Sequence, residues 1–215
     1  KKTKNNKIKL GIVGFTINRE DSDTFSLHSV YRDRAEILKK MDSTLFEKYL
    51  IVKEEHGKEY ITKSGNLGIL LQEFYNKMDH IISIHNYDIN CIKSLIDLDL
   101  DILLYPDIGM NPFTNTMGNY RIAPIQINTW GHSVTSGLVN MDYYISSKYY
   151  EVDDLTIAQE YYSEKLIAMD SLSTYYRCYN LTDPYSREQL NIPNNRQILF
   201  CIQNMRKLNL DFFNL

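Results

Sequence analysis

No part of this 215-residue sequence approaches the roughly 18 consecutive apolar residues that a membrane-spanning helix needs, and no secretory signal opens it. A protein without membrane contact is expected. Charge of one sign is not in excess either: 24 Lys and Arg stand against 27 Asp and Glu, for a net charge of -3 and a pI near 6.0. That leaves no broad basic field for nucleic acid or an anionic lipid surface. Cysteine is scarce and odd in number. Cys91, Cys178 and Cys201 lie far apart among apolar residues, which argues against a disulfide framework and for a reducing, cytoplasmic compartment. His56, His80 and His85 have no Cys or carboxylate at ligand spacing, so they read as structural and no metal site is expected. Glycine is also sparse. The run Gly11-Ile12-Val13-Gly14 lacks the three-glycine dinucleotide fingerprint, and neither a Gly-x-x-x-x-Gly-Lys-Ser/Thr loop nor a Gly-x-Ser-x-Gly elbow occurs. These absences argue against a nicotinamide enzyme, a phosphate-loop nucleotidase and a serine hydrolase. No repeat of 34-residue period is present, so helical substrate-reading repeats are not part of this sequence.

What is there is 43% hydrophobic residues, enough for a core of one large domain, arranged in alternating apolar runs and helical periods. Lys1, Lys2, Lys4, Lys7 and Lys9 form a solvated basic stretch, and residues 1–7 read as a tail. Ile8 to Val13 reads as a buried first strand, followed by a polar loop over 18–24 and a helix from about Ser26 to Met41. A second strand follows from Phe46 to Val52. The pattern repeats with a helix at 67–78, a strand at 80–84, a helix at 89–98 and a strand at 101–105. Short runs at 125–127, 143–145 and 166–169 continue it. Alternation of this kind predicts a doubly wound α/β domain over 8–174 with a parallel sheet. Ligands of such sheets sit beyond the carboxyl ends of the strands, which selects the loops after Phe15, Tyr105 and Asn128. Residues 175–195 are polar, contain Pro184 and Pro193, and read as a linker; 196–215 opens a second unit with a strand at 197–201. The sequence begins on Lys1 and stops just after Phe213 in an apolar stretch, so both ends are expected to be cut from a longer chain.

The densest signal is Arg121-Ile122-Ala123-Pro124-Ile125-Gln126, then Thr129-Trp130-Gly131-His132-Ser133-Val134-Thr135-Ser136-Gly137, then Met141-Asp142-Tyr143. Together these resemble the protein O-GlcNAc transferase/SPINDLY family and the related bacterial cytoplasmic N-glycosyltransferases of adhesins, with their Arg-x-Ala-Pro-x-Gln segment, Thr-Ser-Gly turn and Asp-Tyr. Leu103 to Met110, Tyr161-Tyr162-Ser163-Glu164-Lys165-Leu166 and Cys201 to Lys207 fall in the same register. Before Asp101 the resemblance rests on Gly11 to Phe15 and on His28-Ser29-Val30-Tyr31-Arg32.

The resemblance implies the Rossmann-like N-terminal lobe of a GT-B glycosyltransferase, with only the start of the C-terminal donor lobe. It further implies inverting transfer from UDP-GlcNAc or UDP-glucose to a protein or peptide acceptor, on Ser/Thr or Asn, with no cofactor or metal. His28 and His132 are the candidate catalytic residues. His28 would handle the acceptor proton, and the imidazole of His132 would donate to a phosphate or sugar oxygen. Trp130, Gly131, Thr135, Ser136, Gly137, Gln203 and Lys207 are the candidate donor-binding residues. Lys207 would counter the charge growing on the leaving diphosphate, and the glycines would admit close backbone approach or simply turn. The hydroxyls of Thr135 and Ser136 would contact donor or cap the next element. The N-glycosyltransferase pattern would place a second histidine where Arg34 stands. Two other readings remain: a binding module that keeps the fold without the donor half, and a sugar-nucleotide epimerase, against which the 130–137 motif argues.

Overall fold

The structure is a computed structural model that describes residues 7–14, 17–19, 25–27, 29–53, 65–85, 88–176, 185–204, 206 and 208–213. The chain divides into two compact units, 1–177 and 178–215. The first is built on seven parallel strands: β1 (Ile8–Val13), β4 (Phe46–Lys53), β5 (His80–Ile84), β6 (Ile102–Tyr105), β7 (Ile125–Thr129), β8 (Tyr143–Ser147) and β9 (Lys165–Met169). A two-stranded antiparallel hairpin, β2 (Ile17–Arg19) and β3 (Phe25–Leu27), follows β1. The helices of this unit are α1 (Ser29–Lys40), α2 (Gly65–Tyr75), α3 (Ile89–Ile96), α4 (Pro112–Gly118) and α5 (Leu155–Glu160).

The strand order is β5-β4-β1-β6-β7-β8-β9, so the winding reverses between β1 and β6. This is the doubly wound parallel sheet that the alternating pattern predicts, and the reversal leaves a crevice beyond the ends of β1 and β6. The two faces bury separate cores. Leu10, Ile12, Leu50 and Val52 pack against α1 and α2 through Ala35, Leu38, Leu71 and Phe74. On the opposite face Val13, Ile51, Leu103 and Tyr105 meet Ile92 and Leu95 of α3 and Phe113 and Met117 of α4. Period-two alternation along each strand serves both layers at once.

Several boundaries differ from the sequence expectation. The expected polar loop after β1 contains the β2–β3 hairpin, and α1 starts at Ser29. The helices α4 and α5 are additional. Asn111 caps α4 through the Phe113 amide, with Pro112 at the first turn, and Asp154 caps α5 through the Thr156 amide. Their short, Thr-containing sequences carry little helical period, and the burial of Phe113, Met117 and Ala158 supplies the stabilisation. In the second unit the strand expected at 197–201 does not form. Leu199 and Phe200 are exposed there, and the described regular structure is a turn at 187–191 and a short helix, α6 (Leu210–Phe213).

Candidate functional site

Just after β1 stands Gly14, whose φ of +96° is left-handed and whose amide donates to Ile51 O at 3.0 Å. Facing it across the winding reversal is Asp107, just after β6 and 2% exposed. Its carboxylate lies 3.2 Å from where a Cβ on Gly14 would stand, so a side chain there would crowd Asp107, and the φ favours glycine. β7 then delivers Thr129, Trp130, Gly131 and His132 beside the loop that follows β6. A Cβ on Gly131 would lie 1.8 Å from Pro106 O, and a Cβ on Gly109 would stand 2.9 Å from the His132 ring. The two loops are therefore packed backbone to backbone. Tyr144 OH donates to His132 O at 2.7 Å from β8. The His132 ring is half-buried, and its Nδ1 is buried with no hydrogen-bond partner.

From the other side α1 brings in Asp33 and Arg34. Arg34 is 2% exposed and donates through Nε to Thr129 Oγ1 (3.2 Å) and through Nη1 to Val30 O (3.4 Å) and Asp33 Oδ1 (2.5 Å). Its Cζ sits 4.3 Å from the centre of the Trp130 ring. Burial works against the Arg34 charge, and Asp33 and Asp107 support it. Burial also pushes the Asp33 carboxyl up to about 6, opposed by Arg34 and by the nearby Trp130 indole. The indole N–H itself is buried without a hydrogen bond of ordinary geometry. Asp33, Arg34 and Asp107 are the residues that sequence reasoning did not assign to the site. Only the position of Arg34, in the place of an expected histidine, marked it.

The other predicted residues are placed as follows. Thr135 and Ser136 are tied to Glu164, which is 1% exposed: Thr135 Oγ1 donates to Oε2 at 2.6 Å, the Ser136 amide donates to Oε1 at 2.9 Å, and the Ser136 hydroxyl also donates to Oε1. Burial raises the Glu164 pKa, but the hydrogen bonds from Ser136 and Thr135 together outweigh it and hold the carboxyl below its ordinary value. The hydroxyls thus close the turn internally, clasping the Thr-Ser-Gly segment to the Tyr-Ser-Glu-Lys-Leu segment. Gly137 completes the turn at φ +66°. The Arg-x-Ala-Pro-x-Gln segment is likewise architectural. The buried side chain of Gln126 accepts from the Ile122 and Ala123 amides and donates to Tyr120 O and Asn140 O, while Arg121 pairs with Asp142. Gln203, in the second unit, is exposed, and its side-chain oxygen accepts from the Asn204 amide at 2.9 Å. His28 and Lys207 lie outside the described residues. Of the structural histidines, His80 stacks on Tyr49 and meets Glu47 at 2.8 Å. Among the described residues no group of three His, Cys, Asp or Glu side chains could hold a metal ion, and no helix is long and apolar enough to cross a membrane.

No family model and no curated protein matches this sequence. Among solved structures, a lysine-to-methionine mutant of the O-GlcNAc transferase of Thermobaculum terrenum is similar, with a TM-score of 0.57 at 16% identity. The similarity covers 79% of this chain and 29% of that one, so this chain spans less than a third of the neighbour's length. With seven parallel strands, the reversal between β1 and β6 and that likeness, the larger unit has the fold of a Rossmann-like lobe of a GT-B glycosyltransferase.

Proposed function

We propose that this lobe serves an inverting glycosyltransferase that moves GlcNAc or glucose from a UDP-sugar to a Ser/Thr or Asn side chain of a protein, without a metal. The observation that carries the reading is the packing of the 130–132 loop against the 106–109 loop at the carboxyl end of the sheet, with the half-buried His132 ring against Gly109. Such transfer needs an acceptor held in line with the anomeric carbon, a group for its proton, and donors for the leaving diphosphate. His132 would donate to a sugar or phosphate oxygen, and its fixed backbone means little reorganisation at the moment of reaction. His28 would take the acceptor proton, and Gln203 and Lys207 would face the diphosphate. The compartment in this reading is the cytoplasm, where nucleotide sugars and reduced cysteines coexist.

A second reading, a binding module that keeps this lobe without donor contacts, is favoured by the local engagement of Gln203 with its neighbour. Thermal unfolding with and without UDP separates the two. The measurement uses both this chain and the longest natural chain that carries it. A ligand that binds only the folded state at about 100 times its Kd adds about 2.7 kcal/mol of stability. The glycosyltransferase reading expects the longer chain to shift and Lys207→Ala to remove the shift; a chain indifferent to UDP leaves the binding module.

A further inference from the structure

We infer that Arg34 is the positioning residue of the candidate site: its guanidinium fixes Trp130 and Thr129, and through them the angle at which His132 leaves the sheet. This rests on the glycosyltransferase reading for its functional consequence, but its geometric core stands by itself. The 130–132 loop is held from β6, from α1 and, through Tyr144 OH on His132 O, from β8. Toward β6 the hold is steric, because Gly131 presses on Pro106 and His132 on Gly109. Toward α1 the hold is Arg34, with Nε on Thr129 Oγ1 and Cζ 4.3 Å from the centre of the Trp130 ring, and Asp33 stands near the same indole. Asp33 Oδ1 and Val30 O fix Nη1, so the fork cannot swing without breaking contacts at both ends. Nη2 is buried with no partner, an arrangement that contributes no hydrogen bond of its own. The guanidinium faces the Trp130 ring. A lysine would keep the charge and lose both the fork and the plane.

Trp130 is the single tryptophan of these 215 residues, so in this chain the tryptophan emission comes from the indole that Arg34 faces. The test compares wild type, Arg34→Lys and Thr129→Val by tryptophan emission and acrylamide quenching in this chain, and by UDP titration in the longest natural chain. Thr129→Val removes the Nε acceptor together with a longer Thr129 Oγ1–Pro106 O contact of 3.4 Å and leaves Arg34 in place, so it reads the contact even where Arg34→Lys does not fold. The expected result is a red-shifted Trp130 with about twofold greater quenching, and UDP binding weakened about tenfold, which corresponds to 1.4 kcal/mol. In Arg34→Ala, methylguanidinium restores the emission and methylammonium does not. Unchanged emission and quenching in folded Arg34→Lys and Thr129→Val overturn the inference. Wild type that fails to bind UDP removes the glycosyltransferase reading and leaves the fluorescence arm to decide whether Arg34 sets the loop.

Discussion

Gly131 and Gly137 belong to one loop and respond to the same substitution very differently. At Gly131 a methyl group would overlap the Pro106 carbonyl, a backbone atom that cannot rotate away. Gly131→Ala must separate the two loops, and a loss of about 3 kcal/mol or more is expected in urea unfolding. Gly137 has nothing within 4 Å of the same methyl, so only its φ of +66° opposes alanine, at about 1 kcal/mol. Equal losses at the two positions would contradict the packed-loop geometry. Asp33 gives a pH signature. Its carboxyl is raised from 3.8 to about 6 in the folded chain, so the folded state holds the proton more tightly than the unfolded one. The stability this contributes is fully present below about pH 3.8 and is lost as pH rises through about 6. Melting curves of wild type and Asp33→Asn between pH 4 and 7 are expected to show wild type losing ground to the variant as pH rises, with no further relative change above about pH 7. A relative gain for wild type over that range would mean that Arg34 outweighs the burial of its partner.

β7 shows which elements were legible in the sequence and why. Its existence follows from the short apolar run 125–127, as β1, β4, β5 and β6 follow from theirs, because short apolar runs bounded by turn signals mark the strands of a parallel sheet, although the fully buried positions of β7, Gln126, Asn128 and Thr129, are polar. The roles of its flanking residues do not follow. The residues Arg121, Gln126 and Asp142 carry the strongest resemblance, yet what they do is hold backbone together. Gln126 satisfies two amides and two carbonyls on either side of the strand. Gln126→Leu keeps the volume and leaves those four groups without their partner, at a cost expected to be at least about 3 kcal/mol from unsatisfied buried polar groups. Gln126→Glu retains the acceptor for Ile122 and Ala123 and is expected to cost less than full removal when the carboxyl is protonated. Chemical denaturation at acid and neutral pH measures both; a neutral Gln126→Leu would show that the flanking loops re-pair without it. The same limit applies to Thr135 and Ser136, whose sequence marks them as hydroxyls but not as partners of Glu164, since that contact joins segments separated by β8 and α5. Asp33 and Asp107 were invisible for a related reason. A charged residue in a helix or after a strand normally faces solvent, and only the winding reversal buries these two.

At the scale of the whole molecule, among the described residues the two faces of the sheet are not covered alike. A parallel sheet is ordinarily covered on both sides, and here α1 and α2 complete the face over β1, β4 and β5. Farther along the same face Ile102, Leu104, Ile127, Ile145 and Met169 are half-buried, and Ile167 is 40% exposed. Ile102, Leu104, Ile127, Ile145 and Met169 line an apolar cavity of about 290 Å³ with Ile37, Leu38 and Met41 of α1, and Trp130 stands at its wall. Dry apolar cavities of about 150 Å³ already take up small aromatic molecules, so one of this size and lining is expected to bind an apolar dye in the native state. The prediction is an enhanced anilinonaphthalene sulfonate signal at neutral pH that quenches Trp130 and disappears with Ile145→Lys. Dye binding by itself would also accompany a loosely packed chain, so the unfolding transition supplies the second criterion. A folded sheet with a local apolar site unfolds cooperatively and keeps its near-ultraviolet circular dichroism, whereas a molten state does neither. If the dye signal persists in Ile145→Lys, or arises only where the transition broadens, the cavity is not its site. If it vanishes with a sharp transition retained, the α1 face over β6 to β9 is a stable apolar surface of the native lobe.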